Sequence, residues 1–264
     1  MLKKIAKYFL RPLLKRVSKL EANNIALNKR VTRLEALVDE FSNGPDKIWL
    51  YKNKGERMDA TLEGEAIFAD IRKRFHLARY QFACNYTHGK VVADIACGTG
   101  YGTELMAQKG AAKQCLGVDI AKEAIDYAEK YHNPSNTEFY CASADHTPFN
   151  DESLDVVASF ETIEHLPDDV SLLSEFHRIL KSNGQLIIST PNMWPLSMMD
   201  HHTKEYDYQE FKRVLEDAGF TIEKMYNQNS GHDWEYNRSQ SEGIIETTEQ
   251  NHHLAECFIA VCKK

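Results

Sequence analysis

Hydrophobic positions in the first forty residues recur at alternating spacings of three and four: Leu10, Leu13, Val17, Leu20, Leu27, Val31, Leu34, Val38 and Phe41, with Asn24 as the polar member of the stripe. Val17, Asn24, Val31 and Val38 fall at a positions and Leu13, Leu20, Leu27 and Leu34 at d, a pattern that predicts a parallel two-stranded coiled coil with Asn24 fixing its register. A single amphipathic helix packed on its own domain has the same stripe. Pro12 suits a first helical turn.

Beyond residue 90 the pattern changes to short apolar runs separated by helical stretches. Val91 to Ala96, Cys115 to Val118, Phe139 to Ala144, Asp155 to Phe160 and Gly184 to Thr190 read as strands, followed by Thr221 to Tyr226 and Cys257 to Val261. Between the fourth and fifth, Leu172, Leu173, Phe176, Ile179 and Leu180 mark an amphipathic helix expected to stop at Asn183-Gly184. Strands alternating with helices predict an α/β fold with a doubly wound, mostly parallel sheet, here of seven strands.

Composition bounds the reading. A chain of 264 residues with 42% hydrophobic content can build one α/β domain and an appendage. It holds no run of eighteen apolar residues, so no membrane span is expected. The six cysteines, at 84, 97, 115, 141, 257 and 262, include no C-x-x-C pair and are expected to be reduced and mostly buried, as in a cytoplasmic protein. Residues 1–50 carry eleven Lys or Arg against five acids, +6, so with a total of −7 the remainder of the chain carries −13. Nucleic acid is therefore a poor partner for the main domain. The first twenty residues contain seven Lys or Arg and no acid beside Ile5, Tyr8, Phe9, Leu10, Leu13 and Leu14. Such a segment suits an anionic membrane surface; a transit peptide or a solvated basic tail shares its composition.

The chemistry concentrates after the first strand. Asp94-Ile-Ala96-Cys-Gly98-Thr-Gly100-Tyr-Gly102 places closely spaced glycines in a turn that backbone-hugging ligands require, and Asp119 ends the second strand, where a carboxylate can accept both hydroxyls of a ribose. An acid within the first strand disfavours a pyrophosphate and suits a ligand with an amino group and a sulfonium. The turn resembles the D-x-G-x-G-x-G signature of class I S-adenosylmethionine-dependent methyltransferases, with Ala96 in place of the first glycine.

That resemblance covers roughly Gly55 to Lys264 and implies a Rossmann-like methyltransferase fold whose last two strands form an antiparallel end. It divides the chain into a basic coiled-coil arm (1–42), a linker (43–54) and the methyltransferase domain (55–264), with a helical cap at 55–89 and a variable acceptor-side insertion at 227–253. The implied methyl donor is S-adenosylmethionine. Asp94, Ala96, Gly98, Gly100, Asp119 and Ile120 would hold it, with Ser143, Ala144 and Asp145 at the adenine ring, and Phe160 beside it. Many relatives carry Asp where this chain has Ser143, so the adenine amino group falls to Ser143 or Asp145. Arg79-Tyr80-Gln-Phe82-Ala83 resembles the R-Y-x-F-A run of methyltransferases associated with glycosyltransferases of surface polysaccharide pathways, which puts Arg79 at the cofactor's carboxylate and Tyr80 over it.

The fourth strand runs into Glu161-Thr-Ile-Glu164-His165. One reading makes His165 the general base for an acceptor hydroxyl, since a free imidazole titrates near about pH 6.5. The other is a divalent metal site (Mg²⁺, Mn²⁺ or Zn²⁺) of Glu161, Glu164, His165 and His202, because the segment resembles the E-x-x-E-H motif of small-RNA 2′-O-methyltransferases and ubiquinone-pathway O-methyltransferases. His202-Thr-Lys-Glu205-Tyr206 resembles the H-x-K-E-Y/F segment of the same relatives; His201 is the neighbouring candidate. Other histidines, among them His76, fall in no constellation, and Trp234 and Tyr236 lie in a polar segment that suits sugar stacking or plain surface.

The expectation is an O-methyltransferase for a glycan or sugar-linked hydroxyl. It would be a homodimer through the coil, peripheral on the inner face of the cytoplasmic membrane, with a glycosyltransferase as a further candidate partner. Alternatives are a small-molecule or quinone-precursor O-methyltransferase and, in another class, a coiled-coil scaffold whose methyltransferase domain is vestigial.

Overall fold

The computed structural model describes residues 70–192, 202–229 and 242–264. The predicted coiled coil, the basic segment and the linker lie outside them, as do residues 55–69 of the helical cap, His201, Trp234 and Tyr236.

Helix α1 (Asp70–Ala83) leads through a short turn into β1 (Val91–Ile95). The chain then alternates α2 (Tyr101–Gln108), β2 (Gln114–Asp119), α3 (Lys122–Tyr131), β3 (Thr137–Cys141), β4 (Leu154–Phe160), α4 (Asp169–Ile179) and β5 (Leu180–Pro191). It closes with α5 (Tyr208–Asp217), β6 (Thr221–Asn229), β7 (Gly243–Glu246) and β8 (Cys257–Lys263). The strands form one sheet in the order β3-β2-β1-β4-β5-β8-β6-β7. Pairs from β3 to β5 are parallel, and β8, β6 and β7 add antiparallel neighbours.

The sheet has eight strands rather than the predicted seven. The extra one, β7, pairs with β6 at the edge and lies in the segment read as a variable insertion. Its four residues include only two isoleucines, and Ile245 is exposed, so no buried apolar run betrays it. A second correction concerns the helix before β5. It ends at Ile179, not at Asn183-Gly184, because Leu180 turns extended and pairs with Leu154 of β4. Pairing there buries Leu180 fully.

Alternation along the strands divides the core into two layers, as a sheet covered on both faces requires. Ala93, Val157, Ile188 and Phe258 face α4 and α5, where Leu172, Leu173, Phe176, Phe211 and Leu215 pack. Their neighbours Val92, Val156, Ile187 and Ile259 face the other way, toward Tyr80 and Ala83 of α1 and Met106 of α2. Both helices on the first face are stopped at their starts by aspartates: Asp168 accepts from the Ser171 amide at 3.0 Å and Asp207 from the Glu210 amide at 2.8 Å. The strand order reverses between β1 and β4, and a crevice opens at the carboxyl ends of the strands on either side of that point.

Candidate active site

The crevice is a cavity of about 450 Å³. Its floor is the turn after β1. Ala96 breaks the strand with a left-handed φ of 63°, followed by Gly98 at 55° and Gly100 at 85°. The three do different work. A side chain on Gly98 would meet nothing within 4 Å, so this backbone is open to a ligand, whereas one on Gly100 would strike Ala128 at 2.6 Å. Gly100 thus serves packing and does not line the cavity. Gly102 is stricter still: a Cβ there would lie 2.1 Å from the Tyr80 ring.

Asp119, at the end of β2, accepts the Gly98 amide at 3.0 Å on one oxygen and the Ala121 amide at 2.9 Å on the other. Two backbone donors fix the carboxylate on the cavity wall. Ile120 beside it is 68% exposed, an apolar side chain standing at the mouth. Ala142, Ser143 and Ala144 complete this end. The Ser143 hydroxyl donates to Asp145, so Asp145 steadies the turn and is not itself on the wall.

Asp94 is likewise off the wall. It is fully buried, accepting from Thr103 Oγ1 at 2.7 Å and from the Tyr80 hydroxyl at 3.3 Å. Burial pushes its carboxyl up to about 7, although the two hydroxyl donors pull the other way. Tyr80 does line the cavity, edge-on to Phe160 at 5.0 Å and to Tyr101 at 5.3 Å.

At the opposite end stands Arg79, 1% exposed. Its Nη1 is 2.7 Å from Glu161 Oε1 and donates to Ser189 Oγ at 3.2 Å. Burial opposes its charge, yet the Glu161 carboxylate holds the guanidinium above its ordinary range. Nε and Nη2, the two donors of one edge of the fork, have no partner among the described residues. A planar carboxylate fits such an edge bidentately. Glu161 Oε1 also receives Cys257 Sγ at 3.4 Å, and the residue itself takes a left-handed φ of 52°. Glu161 is therefore the counter-ion of Arg79, and it is not among the predicted metal residues whose ligand atoms converge.

The other three members of that set do converge. Ligand atoms of Glu164, His165 and His202 lie within 4.8 Å of one another, and the two imidazoles meet edge to face with centroids 4.9 Å apart. Glu164 is fully buried with Oε1 unpartnered, and burial, reinforced by the Glu161 carboxylate, raises its carboxyl well above the usual range. His202 Nδ1 is 2.6 Å from Glu205. A carboxylate can only accept, so that nitrogen is the donor of the bond. The segment is fastened by its backbone, since the amides of Thr203 and Lys204 donate to the Glu164 carbonyl at 2.8 and 3.3 Å. Only His165 of the three lines the cavity, next to Thr162 and Leu166.

His76, which the sequence reading left without a role, is on the wall as well. It precedes Arg79 by three residues on α1, and that helical spacing is the signal that could have found it. Thr103, Ser189 and Cys257, which hold Asp94, Glu161 and Arg79, carry no local signal at all.

Comparison with known proteins places this geometry. Residues 93–188 match the family described as Methyltransferase domain. Solved S-adenosylmethionine-dependent methyltransferases from Aquifex aeolicus and Mesorhizobium loti share the fold with TM-scores of 0.54 each, at 17% and 15% identity. They cover 78% and 72% of this chain, and 99% and 100% of their own. The described residues therefore share the Rossmann-like fold of these methyltransferases, and the family match lies on the part of the sheet that carries the cavity.

Among curated relatives, a protein of Mycolicibacterium smegmatis named "Probable S-adenosylmethionine-dependent methyltransferase" is 31% identical over 156 residues, 57% of this chain and 59% of its own length. The Ubiquinone biosynthesis O-methyltransferase of Haemophilus ducreyi is 33% identical over 119 residues, 42% of this chain and 50% of its own. The chain spans about three-fifths of the length of the mycobacterial relatives it matches, 59% and 61%.

Proposed function

We propose that this protein is an S-adenosylmethionine-dependent O-methyltransferase whose acceptor is a hydroxyl of a glycan or sugar-containing molecule. The observation that carries the donor half is the pairing of Asp119 with the open Gly98 backbone at one end of the cavity and the unpartnered Arg79 edge at the other. Asp119 would take the ribose hydroxyls, Ile120 and Ala144 the adenine faces, and Arg79 the amino-acid carboxylate. When bound, the cofactor supplies a methyl group on a sulfonium sulfur. Arg79 Nε and Nη2 are shielded from solvent.

The protein's own share of the reaction is orientation and proton removal. Tyr80, Tyr101 and Phe160 wall the cavity with aromatic edges and keep water from the reacting atoms. His165, on the wall beside Thr162, would accept the acceptor's hydroxyl proton at an imidazole nitrogen as that oxygen takes the methyl group. The sugar reading rests on the Arg79-Tyr80-Gln-Phe82-Ala83 run. A quinone-precursor phenol is the second reading, favoured by the ubiquinone-pathway relatives. Glu164, His165 and His202 have the donor types for Mg²⁺, Mn²⁺ or Zn²⁺, with Glu205 orienting His202; a metal there would polarise the hydroxyl. Residues 1–42 would serve as a dimerising arm resting on an anionic membrane surface, or as a dock for a glycosyltransferase.

Calorimetric titration with S-adenosylmethionine tests the donor half, and absence of binding at millimolar cofactor leaves the scaffold reading. Labelled cofactor offered with soluble sugars, lipid-linked glycans and quinone precursors identifies the acceptor. His165→Ala should lower transfer by about a hundredfold or more with cofactor affinity retained, the range of a lost general base. Near-normal turnover in that variant rules the role out, and undiminished transfer after exhaustive chelation removes the metal.

A further inference from the structure

One buried carboxylate stands apart from the cavity and is bonded on every side. Glu175, on the second turn of α4, is 6% exposed, and its Oε1 accepts the Thr147 amide at 2.8 Å and the Thr147 hydroxyl at 2.5 Å. Arg178, one turn on, grips the same carboxylate side-on, with Nη2 to Oε1 at 2.7 Å and Nε to Oε2 at 2.8 Å. Its remaining nitrogen Nη1 reaches Asp151 at 2.6 Å, and its backbone carbonyl accepts the Glu152 amide at 2.9 Å. The donors outweigh the cost of burial and hold Glu175 below the ordinary carboxylate range.

Thr147 and Asp151 belong to the long connection between β3 and β4, which carries Ala142, Ser143 and Ala144 into the cavity. At the start of this connection the Ala142 amide donates to the Asp119 carbonyl at 3.1 Å; beyond it the bonds are short-range, Ser143 to Asp145 and the His146 amide to the Ser143 carbonyl at 3.2 Å. Ala142 thus pins the turn at its start, and Thr147 is where its other end is pinned. Glu175 ties it to a helix whose Leu172, Leu173, Phe176 and Ile179 are sunk in the core. The other end of α4 is tied to the reacting side, because Asp169 accepts Lys204 Nζ at 2.7 Å and the Tyr206 hydroxyl at 2.9 Å.

We propose that Glu175 is a positioning residue for cofactor binding: through Thr147 it sets the height of the Ala142–Ala144 turn against Asp119, and Arg178 locks it in that pose. The role is indirect, since Glu175 touches no cavity atom. It rests on the S-adenosylmethionine reading above for its functional meaning, and on the hydrogen bonds alone for its structural one. Through α4 the turn and the His202–Tyr206 segment share one rigid strut.

The test uses the full chain with Glu175→Gln and Thr147→Val, and Thr147→Ser as the conservative partner that restores the hydroxyl donor. Amide hydrogen exchange is read at 142–149 and, as internal control, along α4. Both disruptive variants should exchange about tenfold faster at 142–149 while α4 stays within about twofold, and Thr147→Ser should match the parent. In the same proteins the dissociation constant for S-adenosylmethionine should rise about tenfold, with kcat at saturating cofactor changed by less than about twofold. Unchanged exchange at 142–149 in both variants overturns the tether. Faster exchange with unaltered cofactor affinity overturns its role in binding. A parent protein that binds no S-adenosylmethionine refutes the cofactor reading instead, and the exchange data still decide whether Glu175 holds the turn.

Discussion

Ala96 and Glu161 both hold left-handed backbone, at φ 63° and 52°, at the carboxyl ends of β1 and β4 on either side of the crevice. A non-glycine residue in that region costs about 1–2 kcal/mol. Part of this returns on replacing Ala96 by glycine, offset by the greater freedom of glycine in the unfolded chain. Ala96→Gly should therefore stabilise the domain by about 0.5 kcal/mol, read as a rise of a degree or two in Tm. Gly102→Ala goes the other way, because its methyl collides with the Tyr80 ring; a loss of about 1–3 kcal/mol in chemical denaturation is expected. Asp94 gives a pH signature. Its carboxyl titrates at about 7 in the fold and near about 3.9 unfolded, so the folded state binds the extra proton between those values. Asp94 thus lowers stability progressively as pH rises from 4 to 7. In Asp94→Asn that decline should be shallower, measured by urea midpoints across the range; an identical slope would remove burial as the cause of the shift. At this scale the sequence disclosed Asp94, Ala96 and Gly98, which sit in one local motif, and Asp119, which ends the next apolar run. It hid the Arg79–Glu161 pair, whose members are far apart in the chain and whose partners Ser189 and Cys257 come from β5 and β8.

Among elements, α4 carries most of the organisation. Its apolar face was legible from Leu172, Leu173, Phe176 and Ile179 at helical spacing. Its end was not, because Leu180 continues the apolar period while its backbone has already joined β4. The tie between Asp169 and Tyr206 makes a direct prediction. Tyr206 is fully buried, and Tyr206→Phe removes a hydrogen bond to a charged acceptor, so a loss of about 1.5–3 kcal/mol should appear in equilibrium unfolding. Phe176→Ala, in the centre of the same face, should cost about 3–5 kcal/mol through the cavity it leaves. Strands β1, β2, β4 and the second half of β5 were legible because burial on both faces makes them near-continuous apolar runs. β7 escaped because an edge strand of four residues, half exposed, needs no such run.

For the whole molecule, a cleft with a neutral Asp94 at pH 6 and an ionised one at pH 8 binds a cation differently at the two values. A ligand bearing a sulfonium and an amino group favours the ionised form and releases the proton. S-adenosylmethionine affinity should thus tighten by up to about tenfold from pH 6 to pH 8 and level off in Asp94→Asn, by calorimetry in two buffers of different ionisation heat. Equal affinity across that range excludes Asp94 from the electrostatics of binding. Among the described residues no helix is long and apolar enough to cross a membrane.

By itself the sequence determined the alternation of strands and helices and the glycine turn after β1, because these depend on neighbours within a few residues. Only the tertiary structure decided that Glu161 neutralises Arg79 while Glu164, His165 and His202 draw together, that His76 reaches the cavity, and that Glu175 holds the turn beside Asp119. Each of those pairings joins side chains whose distance is set by strand order and helix packing, and neither is written in the spacing of residues along the chain.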